Sequence, residues 1–274
     1  MAKYKIIASD LDGTLLNNEK EVSQENLEAI ARLDELGVLF VPSSGRTLAE
    51  FPENVKNIPS VRYILHSDGA VIYDKATGER IESCMKKEVS AKALDILFEY
   101  ESSITVRYNG ESYFDADTHN RDFYFYHRVD EFYQKMMFTC CKPTRDFKRF
   151  CYSLCGIEMI CIHFHSQTDL ENCKKRLETV SGISVTRLEE QSIEVYDINA
   201  GKGNGLLRLA EHLGVDRAET VAVGDSGNDR DMLKKAGLAL VTANGLEIAK
   251  KEADAIICSN EEHIAKYILE HYYL

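Results

Sequence analysis

The sequence is short of basic residues: 33 Lys and Arg stand against 45 Asp and Glu, a formal charge of −12. That deficit excludes a surface built to grip nucleic acid or an anionic bilayer, so neither partner is expected. It does not exclude a small anion, because one local cationic site outweighs the global field at short range. Also missing is any apolar run near the roughly 18 residues of a membrane span. The first apolar run, Ile6-Ile7-Ala8, stops at Asp10 and Asp12, so no signal peptide is expected. Among the eight cysteines there is no Cys-x-x-Cys pair, which weighs against a zinc site around His163, His165, Cys151, Cys155 and Cys161. An unsecreted chain keeps such cysteines as thiols, and the expected compartment is the cytosol. Internal repeats, low-complexity tracts and long blocks of like charge are absent too. What remains is an ordinary globular composition, 44% hydrophobic and 28% charged, in which disorder is disfavoured. A chain of 274 residues corresponds to roughly two domains and buries a core without staples.

The two ends of the chain share one grammar. Tyr4 to Ser9 is a short apolar strand. Ser23 caps a predicted helix carrying Leu27, Ile30, Leu33 and Leu36, and Gly37 stops it. Val38 to Val41 and Tyr63 to Leu65 are further apolar runs. Toward the C-terminus, a helix over Asn204–Leu213 precedes the strand Thr220–Val223, and Leu238–Val241 and Ala255–Ile257 add two more strands. Short apolar strands alternating with amphipathic helices predict an α/β fold, a Rossmann-like doubly wound parallel sheet. The middle holds most of the Phe and Cys and half of the Tyr, with a period-two stretch at Ile160 to His165 and another just past it at Ser192 to Val195. It reads as an inserted α+β domain over residues 84–190, dividing a core made of residues 1–83 and 191–274.

Three polar clusters follow three of the apolar strands: Asp10-Leu11-Asp12-Gly13-Thr14, Ser43-Ser44-Gly45-Arg46, and Gly224-Asp225-Ser226-Gly227-Asn228-Asp229. Residues just past strand carboxyl ends line the ligand crevice of an open parallel sheet, so the clusters are expected to converge. Asp10, Asp12, Asp225 and Asp229 then share a small space, which is costly without a cation. Hard oxygen ligands suit Mg²⁺, which shares a substrate phosphate. Ser44 offers a hydroxyl, Gly45 a close backbone approach, and Asn228 an amide. Lys202 opens a helix, where a cation opposes the helix dipole, so its placement calls for another reason. A phosphate beside carboxylates and Mg²⁺ supplies one. Asp10, at the strand end, is the candidate nucleophile toward phosphorus. Asp12, two residues on, is the candidate acid and base. Gly13 permits the tight turn, and the Thr14 hydroxyl anchors it. Arg46 is equally a substrate contact or a partner for a nearby carboxylate.

Together these motifs, with Lys202-Gly203 and Met232, resemble the haloacid dehalogenase-like hydrolases, and within them the Cof-type sugar phosphatases. The resemblance covers both outer segments, while the middle matches the family's cap in position and size. It implies Asp10 as nucleophile and Asp12 as acid/base. It also implies Mg²⁺ held by Asp10, the Asp12 main-chain carbonyl and Asp225, with Asp229 supporting. Phosphate would meet the Leu11 main chain, Ser44, Gly45, Lys202 and Asn228, and the cap would choose the leaving group. Two departures stand out. Ser44 occupies a position commonly Thr, which keeps the hydroxyl. Asp68-Gly69 stands where Asn-Gly is common, and a carboxylate there would repel anionic leaving groups. Thr242-Ala243-Asn244-Gly245 matches only loosely, so Asn244 is given no ligand role.

The expected activity is therefore hydrolysis of small phosphorylated metabolites, sugar phosphates foremost. A phosphosugar mutase would use the same core chemistry. A phospho-acceptor signalling module also gathers aspartates and Mg²⁺ at sheet ends, but it needs neither Asp12 nor a large insert. No feature of the sequence specifies an oligomeric state.

Overall fold

The computed structural model describes residues 3–118 and 120–274. The chain divides into two compact units: residues 1–45, 51–82 and 201–274 form the first, and residues 46–50 and 83–200 the second.

The first unit begins with β1 (Ile6–Ser9), α1 (Gln24–Glu35) and β2 (Leu39–Pro42), then α2 (Glu53–Lys56), β3 (Tyr63–His66), β4 (Val71–Asp74) and β5 (Arg80–Glu82). The second unit follows, with α3 (Lys87–Leu97), β6 (Ser102–Tyr108), β7 (Glu111–Asp115), α4 (Arg121–Tyr126), α5 (Glu131–Cys140), β8 (Lys142–Thr144), α6 (Phe147–Ser153), β9 (Met159–Phe164), α7 (Gln167–Leu177), β10 (Ile183–Glu189) and β11 (Ser192–Asp197). The chain then returns to the first unit with α8 (Lys202–His212), β12 (Thr220–Gly224), α9 (Arg230–Lys235), β13 (Leu238–Thr242), α10 (Glu247–Lys250), β14 (Ala255–Ile257) and α11 (Ile264–Tyr272).

Five strands of the first unit form a wholly parallel sheet in the order β14-β13-β12-β1-β2. This is a Rossmann-like core. Ile6, Ala8, Val41, Ala222, Ala239 and Val241 pack on Leu206 and Leu209 of α8 and on Met232 and Leu233 of α9. The alternate residues Ile7, Phe40, Val221, Val223 and Leu240 are buried as well, so both faces are covered, as the continuous apolar runs require. Tyr63–His66 departs from the expected sheet. It pairs antiparallel with β4 in a separate three-stranded sheet and meets the parallel sheet through one bridge, Ser43 to Leu65.

Ser23 caps α1 as expected, its hydroxyl accepting from Asn26 N–H at 3.3 Å. The buried stripe differs from the expected one: Leu36 is exposed and Asn26 is buried. Asn26 Oδ1 accepts from Ala265 N–H at 2.9 Å. It thereby satisfies a donor in the first turn of α11, whose own cap residue His263 makes no side-chain bond to the helix.

The second unit is a six-stranded sheet in the order β10-β11-β9-β6-β7-β8, antiparallel except for β7 with β8. One face packs on α3, α6 and α7 through Ile104, Val106, Ile160, Ile162, Ile193 and Val195. The alternate positions are polar and equally buried: Thr105, Arg107, Cys161, His163 and Glu194. Glu50 joins them, accepting from Ser112 Oγ at 2.5 Å and Thr47 N–H at 2.8 Å, with Arg107 at 3.9 Å. Burial would raise its proton affinity, but Arg107 and these bonds hold it below the usual carboxylate range. These bonds explain why residues 46–50 group with the second unit. Residues 191–200, assigned from sequence to the core, also lie in the second unit. The cause is strand pairing: β11 runs between β9 and β10. No helix among the described residues is long and apolar enough to cross a membrane.

Candidate active site

Register places the first and third clusters, and the start of the second, at one edge of the parallel sheet. Ser9 pairs with Pro42 and with Val223, so the residues after all three strands emerge at the same level. Asp10 N–H donates to Val223 O at 2.9 Å, and Ser43 N–H to Ser9 O at 2.8 Å. Ser44, buried, follows by donating its N–H to Leu65 O at 3.0 Å and accepting Asp68 N–H at 3.1 Å. Asp68 O in turn accepts Gly201 N–H at 2.8 Å, which fixes the start of α8 at the same edge.

Lys202 is the first residue of α8 and is fully buried, with Nζ 2.6 Å from Asp10 Oδ1 and 2.7 Å from Asp229 Oδ1. The close approach of α8 needs Gly203, where a Cβ would lie 2.4 Å from Asp231 O. Asp231 Oδ2 accepts Gly203 N–H at 3.1 Å, so the helix start receives its negative partner from α9 while Lys202 turns its charge to the site.

Oxygens of Asp10, Asp225 and Asp229 lie within 4.8 Å of one another. Burial pushes the Asp10 carboxyl well above its usual range, and Asp229 and Asp225 add to the rise while Lys202 opposes it. Burial also pushes Asp225 up to about 6, with Asp229 adding and Lys202 opposing. Burial works against the Lys202 charge, but Asp10 and Asp229 outweigh it and hold the ammonium well above its ordinary value. One lysine among two buried carboxylates and a half-buried third leaves the cluster under-compensated. Carboxylate oxygens at this spacing, short of positive charge, fit a divalent cation.

The three aspartates are not equivalent. Asp229 Oδ2 accepts N–H of Asp225 at 3.0 Å and of Ser226 at 3.1 Å, and its Oδ1 holds Lys202. It organises the loop after β12. Asp225 Oδ1 accepts from Thr14 Oγ1 at 3.3 Å, so Thr14 ties the first cluster to the third. A Cβ on Gly13, whose φ is +81°, would lie 2.5 Å from Asp225 Oδ2. Gly13→Ala should therefore destabilise the protein by about 1–3 kcal/mol and weaken metal binding. Chemical denaturation and Mg²⁺ titration calorimetry check this; a variant matching wild type in both contradicts the packing described.

Leu11 is buried in the first turn, where its carbonyl accepts Leu16 N–H at 2.9 Å. Asn228 sits in the turn after β12, its Oδ1 accepting from Ser226 Oγ at 2.5 Å. Gly45 follows Ser44 and is partly buried. Asp12 is partly exposed and close enough to Asp225 to raise its proton affinity, while its Oδ1 pairs with Lys20 Nζ at 2.9 Å. Arg46 Nη1 donates to Glu50 O at 3.2 Å. Asn244, given no role from sequence, donates from Nδ2 to Gly13 O at 2.8 Å and accepts Asn260 N–H on Oδ1 at 2.9 Å. It holds the Gly13 turn in place. In the second unit, His165 Nδ1 meets Tyr126 O at 2.8 Å. Burial lowers His163 to about 4, so it is neutral near neutral pH.

A sequence profile describing haloacid dehalogenase-like hydrolases matches residues 7–268. Phosphatase YwpJ of Bacillus subtilis (strain 168) is 28% identical over 97% of this chain and 99% of its own. The 5-amino-6-(5-phospho-D-ribitylamino)uracil phosphatase YcsE of the same organism is 27% identical, over 96% of this chain and 94% of its own. Among solved structures, a haloacid dehalogenase-like hydrolase from Bacteroides thetaiotaomicron is 28% identical, with a TM-score of 0.78 across 98% of this chain and 99% of that one.

Proposed function

The chain belongs to the haloacid dehalogenase-like hydrolase family, in its Cof-type branch, and from that premise we propose a Mg²⁺-dependent phosphatase of small phosphorylated metabolites, sugar and polyol phosphates foremost. The observation that carries the reading is Lys202 buried between Asp10 and Asp229 with Asp225 alongside. The phosphorylated ribityl group in the name of one relative is of the same chemical class.

Asp10, the Asp12 carbonyl and Asp225 are the proposed cation ligands, with Asp229 supporting. The cation, when bound, offsets the charge of the carboxylates and of the phosphate. An Asp10 carboxylate oxygen forms a bond to phosphorus as the bond to the leaving oxygen breaks, and the Asp12 carboxyl gives its proton to that oxygen. Water then attacks the aspartyl-phosphate. Asp12 takes a proton from the water, the bond between phosphorus and the Asp10 oxygen breaks, and phosphate and the Asp10 carboxylate are released. Lys202, Ser44, the Leu11 and Gly45 main chain and the Asn228 amide bind the phosphoryl oxygens, whose charge develops in a site with preset donors. Asp68 disfavours anionic leaving groups, and the inserted unit carries substrate selection. The soluble compartment expected from the thiols is the cytosol.

Incubation with a panel of sugar, polyol, nucleotide and cofactor phosphates in Mg²⁺ tests the reading. Release of inorganic phosphate, abolished by chelation, is expected. Isomerised sugar phosphate without free phosphate indicates a mutase and contradicts hydrolysis.

The raised carboxyls give a pH dependence with a definite sign. A folded-state value near 6 for Asp225 lies above the unfolded value of about 3.9, so the folded state binds the extra proton. Stability of the metal-free protein from this group falls as pH rises from about 4 to about 6 and stays low above. Mg²⁺ should thus raise Tm more at about pH 7.5 than at about pH 5. Thermal denaturation at both pH values checks this; an equal shift contradicts the cluster as the cation site.

A further inference from the structure

Asp12 is engaged by a residue whose backbone is unusual. Lys20 Nζ donates to Asp12 Oδ1 at 2.9 Å, with side-chain exposures of 46% for Lys20 and 35% for Asp12. An ion pair so exposed contributes little to stability. Yet Lys20 has φ +64°, the left-handed region that Gly or Asn adopts far more readily than a long side chain. The loop imposes this conformation. Lys20 N–H donates to Asn17 O and Asn17 N–H to Glu21 O, each at 3.0 Å, while Glu21 N–H donates to Asn17 Oδ1 at 2.9 Å. Asn54 Nδ2 reaches Lys20 O at 3.4 Å. The chain thus keeps a long side chain at a left-handed position, with its charged end on the proposed acid. Backbone strain at a residue whose charge meets the proposed acid points to a role in the site.

We propose that Lys20 is a positioning residue for the acid/base carboxyl of Asp12, an inference that rests on the reading of the site given above. Its ammonium narrows the positions the Asp12 carboxyl samples, so that the proton is presented to the leaving oxygen. Lys20 itself transfers no proton. In the first half-reaction the bond from Asp10 to phosphorus forms, the bond to the leaving oxygen breaks, and the proton passes from Asp12 to that oxygen. An alkoxide needs this proton as it departs, whereas a nitrophenolate leaves without it. Lys20 therefore matters most for alkyl phosphates, the class to which sugar and polyol phosphates belong.

Lys20→Gly and Lys20→Asn remove the ammonium and suit the left-handed backbone, so Tm should hold or rise in both. The readout is kcat/KM, which covers the steps up to phosphorylation of Asp10, for glycerol 3-phosphate and for p-nitrophenyl phosphate. We expect the alkyl-to-aryl ratio to fall about tenfold in both variants and to recover in Lys20→Arg. Equal losses on the two esters, or an unchanged ratio, overturn the assignment. Asp12→Asn, assayed beside them, separates two failures. A lowered ratio in Asp12→Asn but not in the Lys20 variants overturns the role of Lys20 alone. An unchanged ratio in Asp12→Asn overturns the role of Asp12 and that of Lys20 with it.

Discussion

Asp10→Asn should abolish phosphate-ester hydrolysis, lowering kcat by at least about 10³-fold, while leaving the metal-free protein as stable as wild type or more so. The amide nearly matches the carboxylate in shape and still offers Lys202 an acceptor oxygen. It is a far poorer nucleophile and a poorer cation ligand. Burial and two neighbouring carboxylates raise the proton affinity of Asp10, so at neutral pH its charged form opposes folding. Removing that charge lowers the repulsion among Asp10, Asp225 and Asp229. A site that trades stability for reactivity behaves in this way. Mg²⁺ should also stabilise the variant less than the wild type. Assays of hydrolysis and thermal denaturation with and without Mg²⁺ check both halves. Retained turnover sinks the nucleophile assignment, and a marked drop in metal-free Tm sinks the account of the charge balance.

Lys202→Met should fail in the opposite way, losing stability and activity together. Lys202 and Asp229 have fully buried side chains and Asp10 nearly so. Removing the cation leaves two buried carboxylates without their partner, at an expected cost of about 3–5 kcal/mol. Catalysis loses a preset positive charge beside the phosphoryl group, about 10²–10³-fold in kcat/KM. Because the deficit is one of charge, Mg²⁺ should restore part of the lost stability at neutral pH. Chemical denaturation across Mg²⁺ concentrations measures this; a variant as stable as wild type contradicts the buried ion-pair geometry.

The parallel core was legible in the sequence because its strands are continuous apolar runs closed by polar clusters, its first helix opens on a Ser cap, and Gly37, Gly214 and Gly237 stop three of its helices. Its active edge is legible for the same reason: strand ends in such a sheet fall at one level, which brings Asp10, Ser44 and Asp225 together. Other features depend on tertiary pairings that local pattern does not encode. Ser192–Asp197 alternates like any strand, and nothing in its own residues says that it pairs with β9 and β10. Tyr63–His66 reads as one more buried strand, yet it belongs to a separate antiparallel sheet. Asn26 appears as a polar fault in an apolar stripe and proves to satisfy a donor on a helix far along the chain. The residues that hold the site in shape were missed for the same cause. Lys20 on Asp12, Asn244 on Gly13 and Asp231 on Gly203 are each common polar residues at unremarkable positions, and only the folded chain pairs them. The one hint is Lys202 itself, a cation at a helix start, which calls for negative charge nearby without naming Asp231.

In the proposed mechanism Asp10 becomes phosphorylated during turnover. Rapid acid quench of the enzyme during turnover of a phosphate-labelled substrate in Mg²⁺, followed by peptide mapping, tests it most directly. Label is expected on the peptide containing Asp10 in the wild type and none in Asp10→Asn. Turnover in the wild type with no labelled enzyme, or with the label on another residue, would contradict it.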